Sequence, residues 1–229
     1  MMMTTTEEPR RRRTPFRSVW FHVGLALALT LVVVAFIGQP SSSSMAPTLQ
    51  PGDRLIVNRL AYVAADPAPG DIVVFRPDAN WGDEPAVSSN PVSAALHWLG
   101  ETTGIRPYVL VKRVIARPGQ TVECCDANGS VLVDGEPLDE PYVAENLPYV
   151  AGELDCDTTP VSTRCFPDVT VPEDSYLVLG DNRANSADSA YPCRGNPTAD
   201  DSCFRWMTRD DVFGEAGAIL WPVSRWGGP

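Results

Sequence analysis

Groups that titrate near neutral pH are scarce in this chain: two histidines, His22 and His97, and one lysine, Lys112, stand against 17 arginines. A Ser–His mechanism needs a histidine beside its nucleophile. His22 lies within a long apolar run, and His97 lies in Ala95-Leu96-His97-Trp98-Leu99, which reads as a packed helix face. Metal-ligand spacing is also missing. Cys124, Cys125, Cys156, Cys165, Cys193 and Cys203 contain no C-x2-C pair, so neither a zinc site nor any other metal or organic cofactor is expected. Basic patches are absent from most of the chain: the first twenty residues carry +3, through Arg10, Arg11, Arg12, Arg13 and Arg17 against Glu7 and Glu8, and the remainder carries -14. That balance excludes a phosphate-neutralising surface, and with it nucleic acid as a partner.

Long hydrophobic runs are limited to one. Residues 18–38 are almost wholly apolar, close to the roughly 20 residues that a membrane-spanning helix needs. The arginine cluster before them predicts a cytoplasmic amino terminus. A cleaved secretory signal shares the basic and apolar order, but this run exceeds the usual ~7–15 residues, and Ala35-Phe36-Ile37-Gly38 offers no small-x-small cleavage site. The expected organisation is a basic cytoplasmic tail over 1–17, a transmembrane anchor over 18–38 and an extracytoplasmic domain over 39–229. Its location would be the plasma membrane, with the lipid bilayer as a partner. Six cysteines in an oxidising compartment suggest disulfides. The spacing makes Cys156–Cys165 and Cys193–Cys203 candidate local loops, and leaves Cys124 and Cys125 either paired with each other or free.

Beyond the apolar run, short β-rich segments alternate with Pro, Gly and Asp, which predicts a mainly β fold. Candidate strands are 54–57, 71–75, 108–115, 121–124, 131–133, 176–179 and 218–221. Asn128-Gly129 is a two-residue hairpin signal. Residues 76–107 and 137–172 read as insertions, with one short helix expected over 92–99. Trp206, Met207, Trp221 and Trp226 are late aromatic and apolar residues suited to a lipid surface, with core packing an equal alternative for Trp221.

Two features carry chemistry. Four serines, Ser41 to Ser44, follow the apolar run and lead into Met45-Ala46-Pro47-Thr48-Leu49. A bare serine run reads as a flexible linker. Lys112 changes that reading, because it occupies the middle of the strand-like run Tyr108-Val109-Leu110-Val111-Lys112-Arg113-Val114-Ile115 in a chain whose other basic residues are all arginine. Arginine stays protonated, whereas a desolvated lysine can lose its proton and act as a base.

Ser44-Met45-Ala46-Pro47-Thr48-Leu49 resembles the S-M-x-P-T-L box of the type I signal peptidases, membrane-bound Ser/Lys endopeptidases that remove signal peptides. Pro69-Gly70-Asp71-Ile72-Val73-Val74-Phe75 is similar to that family's next strand box. Lys112-Arg113-Val114-Ile115-Ala116-Arg117-Pro118-Gly119 is similar to its lysine box, and Gly180-Asp181-Asn182-Arg183-Ala184-Asn185-Ser186-Ala187-Asp188-Ser189 to its G-D-N-R-x-x-S-x-D-S box. The resemblance implies a β-rich catalytic domain of antiparallel sheets and cleavage of exported preproteins after small residues (A-x-A) through an acyl-enzyme. It implies Ser44 as nucleophile, Lys112 as general base, and Ser42 with the Ser44 backbone N–H as oxyanion hole. Ser186 would orient the lysine, and Asp181 and Asp188 would support the site. An extended signal peptide would lie between 39–43 and 108–111, with Met45, Leu49, Leu110 and Val111 lining its pockets. The protein-export machinery is a further expected partner.

Three positions depart from the family pattern. Ala190 stands where the last box usually ends in Arg, leaving Asp188 to find a partner in Arg194 or Arg183. Ala116 replaces a common Gly, and Ser43 replaces the Gly often found before the nucleophile. Two other readings stay open: a relative that processes one dedicated substrate, and an inactive membrane-tethered binding module, for which Ala190 is the best support. Ser/Lys self-cleaving repressors share the chemistry but need a DNA-binding domain, for which this chain has neither room nor charge.

Overall fold

The computed structural model describes residues 19–38, 40, 42–82, 108–196 and 198–229. His97 and the helix expected over 92–99 lie outside the described residues, as do the whole basic tail, Gln39 and Ser41. The chain divides into two compact units, one ending at Ala35 and one beginning at Phe36.

Helix α1, Val19–Phe36, is apolar apart from His22 and Thr30, with no acidic residue in its first turn and no basic residue in its last. Its 18 residues rise about 27 Å at about 1.5 Å each. Among the described residues, no helix is long and apolar enough to cross a membrane.

The second unit is built from two antiparallel sheets. The larger has the strand order β1-β2-β11-β3-β4-β9-β10, from Ile37–Gly38, Arg54–Asn58, Val212–Trp221, Ile72–Phe75, Leu110–Ala116, Ser175–Leu179 and Met207–Thr208. The smaller has the order β7-β6-β5-β8, from Glu136–Pro137, Val131–Val133, Thr121–Cys124 and Phe166–Thr170. Every pair in both sheets is antiparallel.

The larger sheet is covered on both faces, which is why β3 and β9 read as unbroken buried runs. Successive side chains of a strand point to opposite faces. Ile72 and Val74 therefore pack with Met45, Leu49, Leu55, Val57, Ala216 and Ile219, while Val73 and Phe75 pack with Tyr62, Trp81, Val114, Tyr176, Val178 and Met207. A third cluster joins the two sheets: Leu177 and Leu179 of β9 and Ile115 of β4 meet Val122, Val131, Phe166 and Val169 of the smaller sheet.

The hairpin at Asn128-Gly129 forms between β5 and β6, with Cys124 opposite Val131. Its loop runs from Cys125 to Ser130, longer than a two-residue turn, because Asp126 caps it through the backbone N–H groups of Asn128 and Ser130. Disulfides join Cys124–Cys125, Cys156–Cys165 and Cys193–Cys203. The late aromatic residues divide. Trp206 is half-buried and stacks on Phe204, Met207 is fully buried and belongs to the core, and Trp221 and Trp226 are exposed.

Candidate active site

Ser44 sits in the turn that follows Pro40, and its neighbours fix that turn from inside. Met45 and Leu49 are buried, and the Leu49 N–H donates to the Met45 carbonyl. Three hydrogen bonds then tie this turn to the segment after β9. The Asn182 N–H donates to the Ser44 carbonyl at 3.0 Å, Asn185 Nδ2 donates to Ser43 Oγ at 2.8 Å, and Thr48 Oγ1 donates to Asp181 Oδ2 at 2.5 Å. Ser43, in the place of the family's usual Gly, is thus accommodated through its hydroxyl.

Lys112 lies in the middle of β4, opposite Val73, and is 3% exposed. Its Nζ donates to Ser44 Oγ at 2.7 Å, across 68 residues of sequence. Burial lowers its pKa to about 8 from the usual 10.5; the negative charges of Asp188 and Asp181 pull it back up, and the positive charge of Arg194 pushes it down. A substantial neutral fraction therefore exists near pH 8. In that state the contact reverses, and the Ser44 hydroxyl donates to the amine.

Ser42 Oγ donates to Ser44 Oγ at 3.1 Å, which places the expected oxyanion donor beside the expected nucleophile. Ser186 Oγ is buried and has no hydrogen-bond partner among the described residues. It makes no hydrogen bond to Lys112 here. It does lie beside the nucleophile, since Ser186 Oγ and the Ser44 carbonyl both crowd the Cα of Gly180.

The two carboxylates have different tasks. Asp181 is fully buried and takes two hydrogen bonds from Arg113, Nε at 2.8 Å and Nη2 at 2.6 Å, besides that from Thr48. Arg113 also donates to the Gly70 carbonyl and lies 3.9 Å from the centre of the Tyr142 ring. One ion pair thereby joins all four motif segments. Asp188, also fully buried, accepts from the Gly180 N–H and pairs with Arg194 at 3.0 Å. Arg194 rather than Arg183 thus stands in for the arginine absent at Ala190. Arg183 instead donates to the Gly180 carbonyl and pairs with Glu140.

The four expected pocket residues do not share one wall. Met45 and Leu49 are closed into the core, 1% and 0% exposed, and Val111 packs partly buried against the same cluster. Leu110 packs against the cluster on the other face of the sheet, because it neighbours Val111 on a strand and must point the opposite way. Reading the sequence missed Thr48, Arg113 and Gly180 as parts of the site. It also missed Glu140, Tyr142 and Glu145 from the insertion over 137–172, of which Glu145 accepts from Asn182 Nδ2. Gly180, Thr48 and Arg113 lie inside the motif segments, where they were visible but unassigned. No local pattern marks the other three.

A buried lysine amine against a serine hydroxyl, beside further hydroxyl donors, is the arrangement of a hydrolase that works without histidine. The chain matches the family model "Signal peptidase, peptidase S26" over residues 15–221. It is 37% identical over 238 residues to signal peptidase I of Mycobacterium tuberculosis, covering 97% of this chain and 78% of the relative. It is 35% identical over 240 residues to a probable signal peptidase I of Mycobacterium leprae (96% and 81%), and 34% identical over 208 residues to signal peptidase I of Leptolyngbya laminosa (90% and 79%). The chain belongs to the signal peptidase family.

Proposed function

We propose that this member of the signal peptidase family is a serine endopeptidase in which Ser44 and Lys112 cleave signal peptides from preproteins through an acyl-enzyme. The observation that carries the reading is the 2.7 Å contact between Lys112 Nζ and Ser44 Oγ at a lysine withdrawn from water. Neutral Nζ takes the Ser44 proton as Oγ bonds to the scissile carbonyl carbon. The oxyanion formed is met by the Ser42 hydroxyl and the Ser44 N–H, donors of the kind that stabilise a tetrahedral intermediate. Protonated Nζ then gives its proton to the leaving amine of the mature protein. Water, deprotonated by Lys112 Nζ, then adds to the acyl carbonyl carbon, and Nζ passes that proton to Ser44 Oγ as the ester bond breaks and the signal peptide leaves as a carboxylate. Once Ser44 is acylated, Nζ loses its hydroxyl partner, and Ser186, whose hydroxyl is otherwise unengaged, holds the amine for the second step.

The substrate lies extended along the 108–111 edge, adding main-chain hydrogen bonds, with Val111 offering the accessible apolar contact above Met45 and Leu49. Small apolar pockets discriminate by only about 1–3 kcal/mol each, so presentation at a membrane supplies the remaining selectivity. In this reading the apolar run over 18–38, preceded by the basic tail, holds the enzyme at the membrane with the amino terminus inside. Trp221, Val223 and Trp226, at 55%, 59% and 69% exposure, suit the interfacial zone of a bilayer. An inactive tether drew its support from Ala190, and the Arg194–Asp188 pair removes that support.

The test is cleavage of a preprotein carrying an A-x-A site by the detergent-solubilised protein. Ser44→Ala and Lys112→Arg are each expected to abolish turnover, and substantial turnover by Lys112→Arg would sink the base assignment. Several unrelated preproteins in the same assay distinguish general processing from a single dedicated substrate.

A further inference from the structure

The arginine that pairs with Asp188 comes from an unusual place. Ala190 is fully buried in the apolar cluster that includes Ile115, Ala116, Cys193 and Phe204, so a guanidinium at that position would start from a β-carbon aimed into the core. Four residues further on, Arg194 reaches back instead. It is 8% exposed at the side chain, pairs with Asp188 at 3.0 Å, and points Nη1 toward the Ser186 carbonyl at 3.4 Å.

What holds Arg194 there is covalent. Cys193, the preceding residue, is fully buried and bonded to Cys203. It ends the short helical turn Tyr191–Cys193, whose Cys193 N–H donates to the Ala190 carbonyl at 3.0 Å. On the other side, the Gly195 N–H donates to the Cys165 carbonyl at 2.8 Å. The segment after Asp188 is therefore closed by the disulfide immediately before the arginine leaves the chain.

We propose that Arg194 is the residue that positions Asp188, which holds Gly180 against Ser44, and that the Cys193–Cys203 disulfide positions Arg194, so that closing this disulfide completes the base site. The inference rests on Lys112 acting as the base. The charges acting on Lys112 are Asp188, Arg194 and Asp181, and Asp181 is already engaged by Arg113. Withdrawing Arg194 removes the one cation among them and leaves Asp188 unopposed, so the ammonium persists to higher pH. The disulfide thereby sets the pH range of cleavage.

The experiment compares the pH dependence of kcat/KM for the full chain in detergent, as wild type, Arg194→Gln, Cys193→Ala/Cys203→Ala and the triple variant. In Arg194→Gln the acid limb is expected to move up by about one pH unit, equivalent to a roughly tenfold lower rate at pH 7. The cysteine variant should show the same shift, and the triple variant no more than either. Additive shifts, or an unmoved limb in the cysteine variant, overturn the role of the disulfide. Should the cysteine variant fail to fold, wild type and Arg194→Gln treated with a dithiol give the same comparison. The reagent closes to its own disulfide for each protein disulfide it opens, passing two electrons and two protons to that pair, and alkylation followed by peptide mapping selects the conditions in which Cys193 and Cys203 are the freed thiols. Reduction must then shift wild type and leave Arg194→Gln where it was. A fully active Lys112→Arg overturns the base itself, whereas an inactive Lys112→Arg with an unmoved limb in Arg194→Gln overturns only the positioning role.

Discussion

Gly180 approaches Ser44 so closely that a β-carbon there would stand 2.5 Å from the Ser44 carbonyl oxygen and collide with Ser186 Oγ. The glycine cannot easily retreat, because its N–H is bound to Asp188 and its carbonyl to Arg183. Gly180→Ala must therefore displace the nucleophile's own backbone. A misplacement of about 1 Å costs about 10²-fold in rate, and overpacking costs about 1–3 kcal/mol of stability. Steady-state cleavage alongside thermal unfolding checks both, and a near-wild-type kcat/KM would show that the turn has more freedom than this contact allows.

On the proposed mechanism, the pKa of Lys112, lowered by burial to about 8, sets the acid limb of the reaction. Below it the neutral amine falls tenfold per pH unit, and kcat/KM should fall with it, since that ratio reports the free enzyme's base. The profile on a peptide substrate is expected to rise up to about pH 8 and flatten beyond. An acid limb near pH 6 would point to a different titrating group.

The same burial makes the lysine a liability to the fold. Because its folded pKa lies below the usual 10.5, the unfolded chain binds more protons between about pH 8 and 10.5. Stability from this group therefore rises with pH across that window and is lowest below it. Lys112→Met removes the penalty. It should raise stability at pH 7 by on the order of 3 kcal/mol while abolishing cleavage, with the gain shrinking toward pH 10.5. Urea unfolding at pH 7 and pH 10 measures both, and equal gains at the two values would contradict the assigned burial cost.

How far the sequence foretold this site depended on whether its parts are local. The strands at 121–124 and 131–133 have the bounds of β5 and β6, because each is a short β-rich run beside a strong turn. Strand β8, Phe166–Thr170, was hidden by Pro167 and Asp168 within an expected loop. Strand β11 was visible only from residue 218, although it begins at Val212. Its glycines, which look like breakers, admit the neighbouring strand: a β-carbon at Gly214 would stand 2.8 Å from the Asn58 carbonyl oxygen. Ser44 and Lys112 were legible from motif and from the rarity of lysine. The Asp188 partner was narrowed to two arginines, and only the path of the chain after Ala190 decides for Arg194. The stacking of Tyr142 on Arg113 and the pairing of Glu140 with Arg183 come from an insertion without periodicity, and nothing short of tertiary structure announces them.

The Arg113–Asp181 pair separates stability from chemistry. Asp181 is fully buried and Arg113 is 11% exposed at the side chain, so removing one partner strands a charge away from water. Asp181→Ala should destabilise by about 3–5 kcal/mol, the usual cost of breaking a buried pair. It also frees Thr48, four residues past the nucleophile, and cleavage should fall with it. Removing both charges in Arg113→Met/Asp181→Leu is expected to cost less than the sum of the single changes, because neither partner is then left unpaired. Thr48 remains without its acceptor, so the double variant should recover stability ahead of activity. Chemical unfolding and kcat/KM measured across this cycle decide the point: activity that returned in step with stability would mean that Asp181 supports only the fold and not the setting of Ser44.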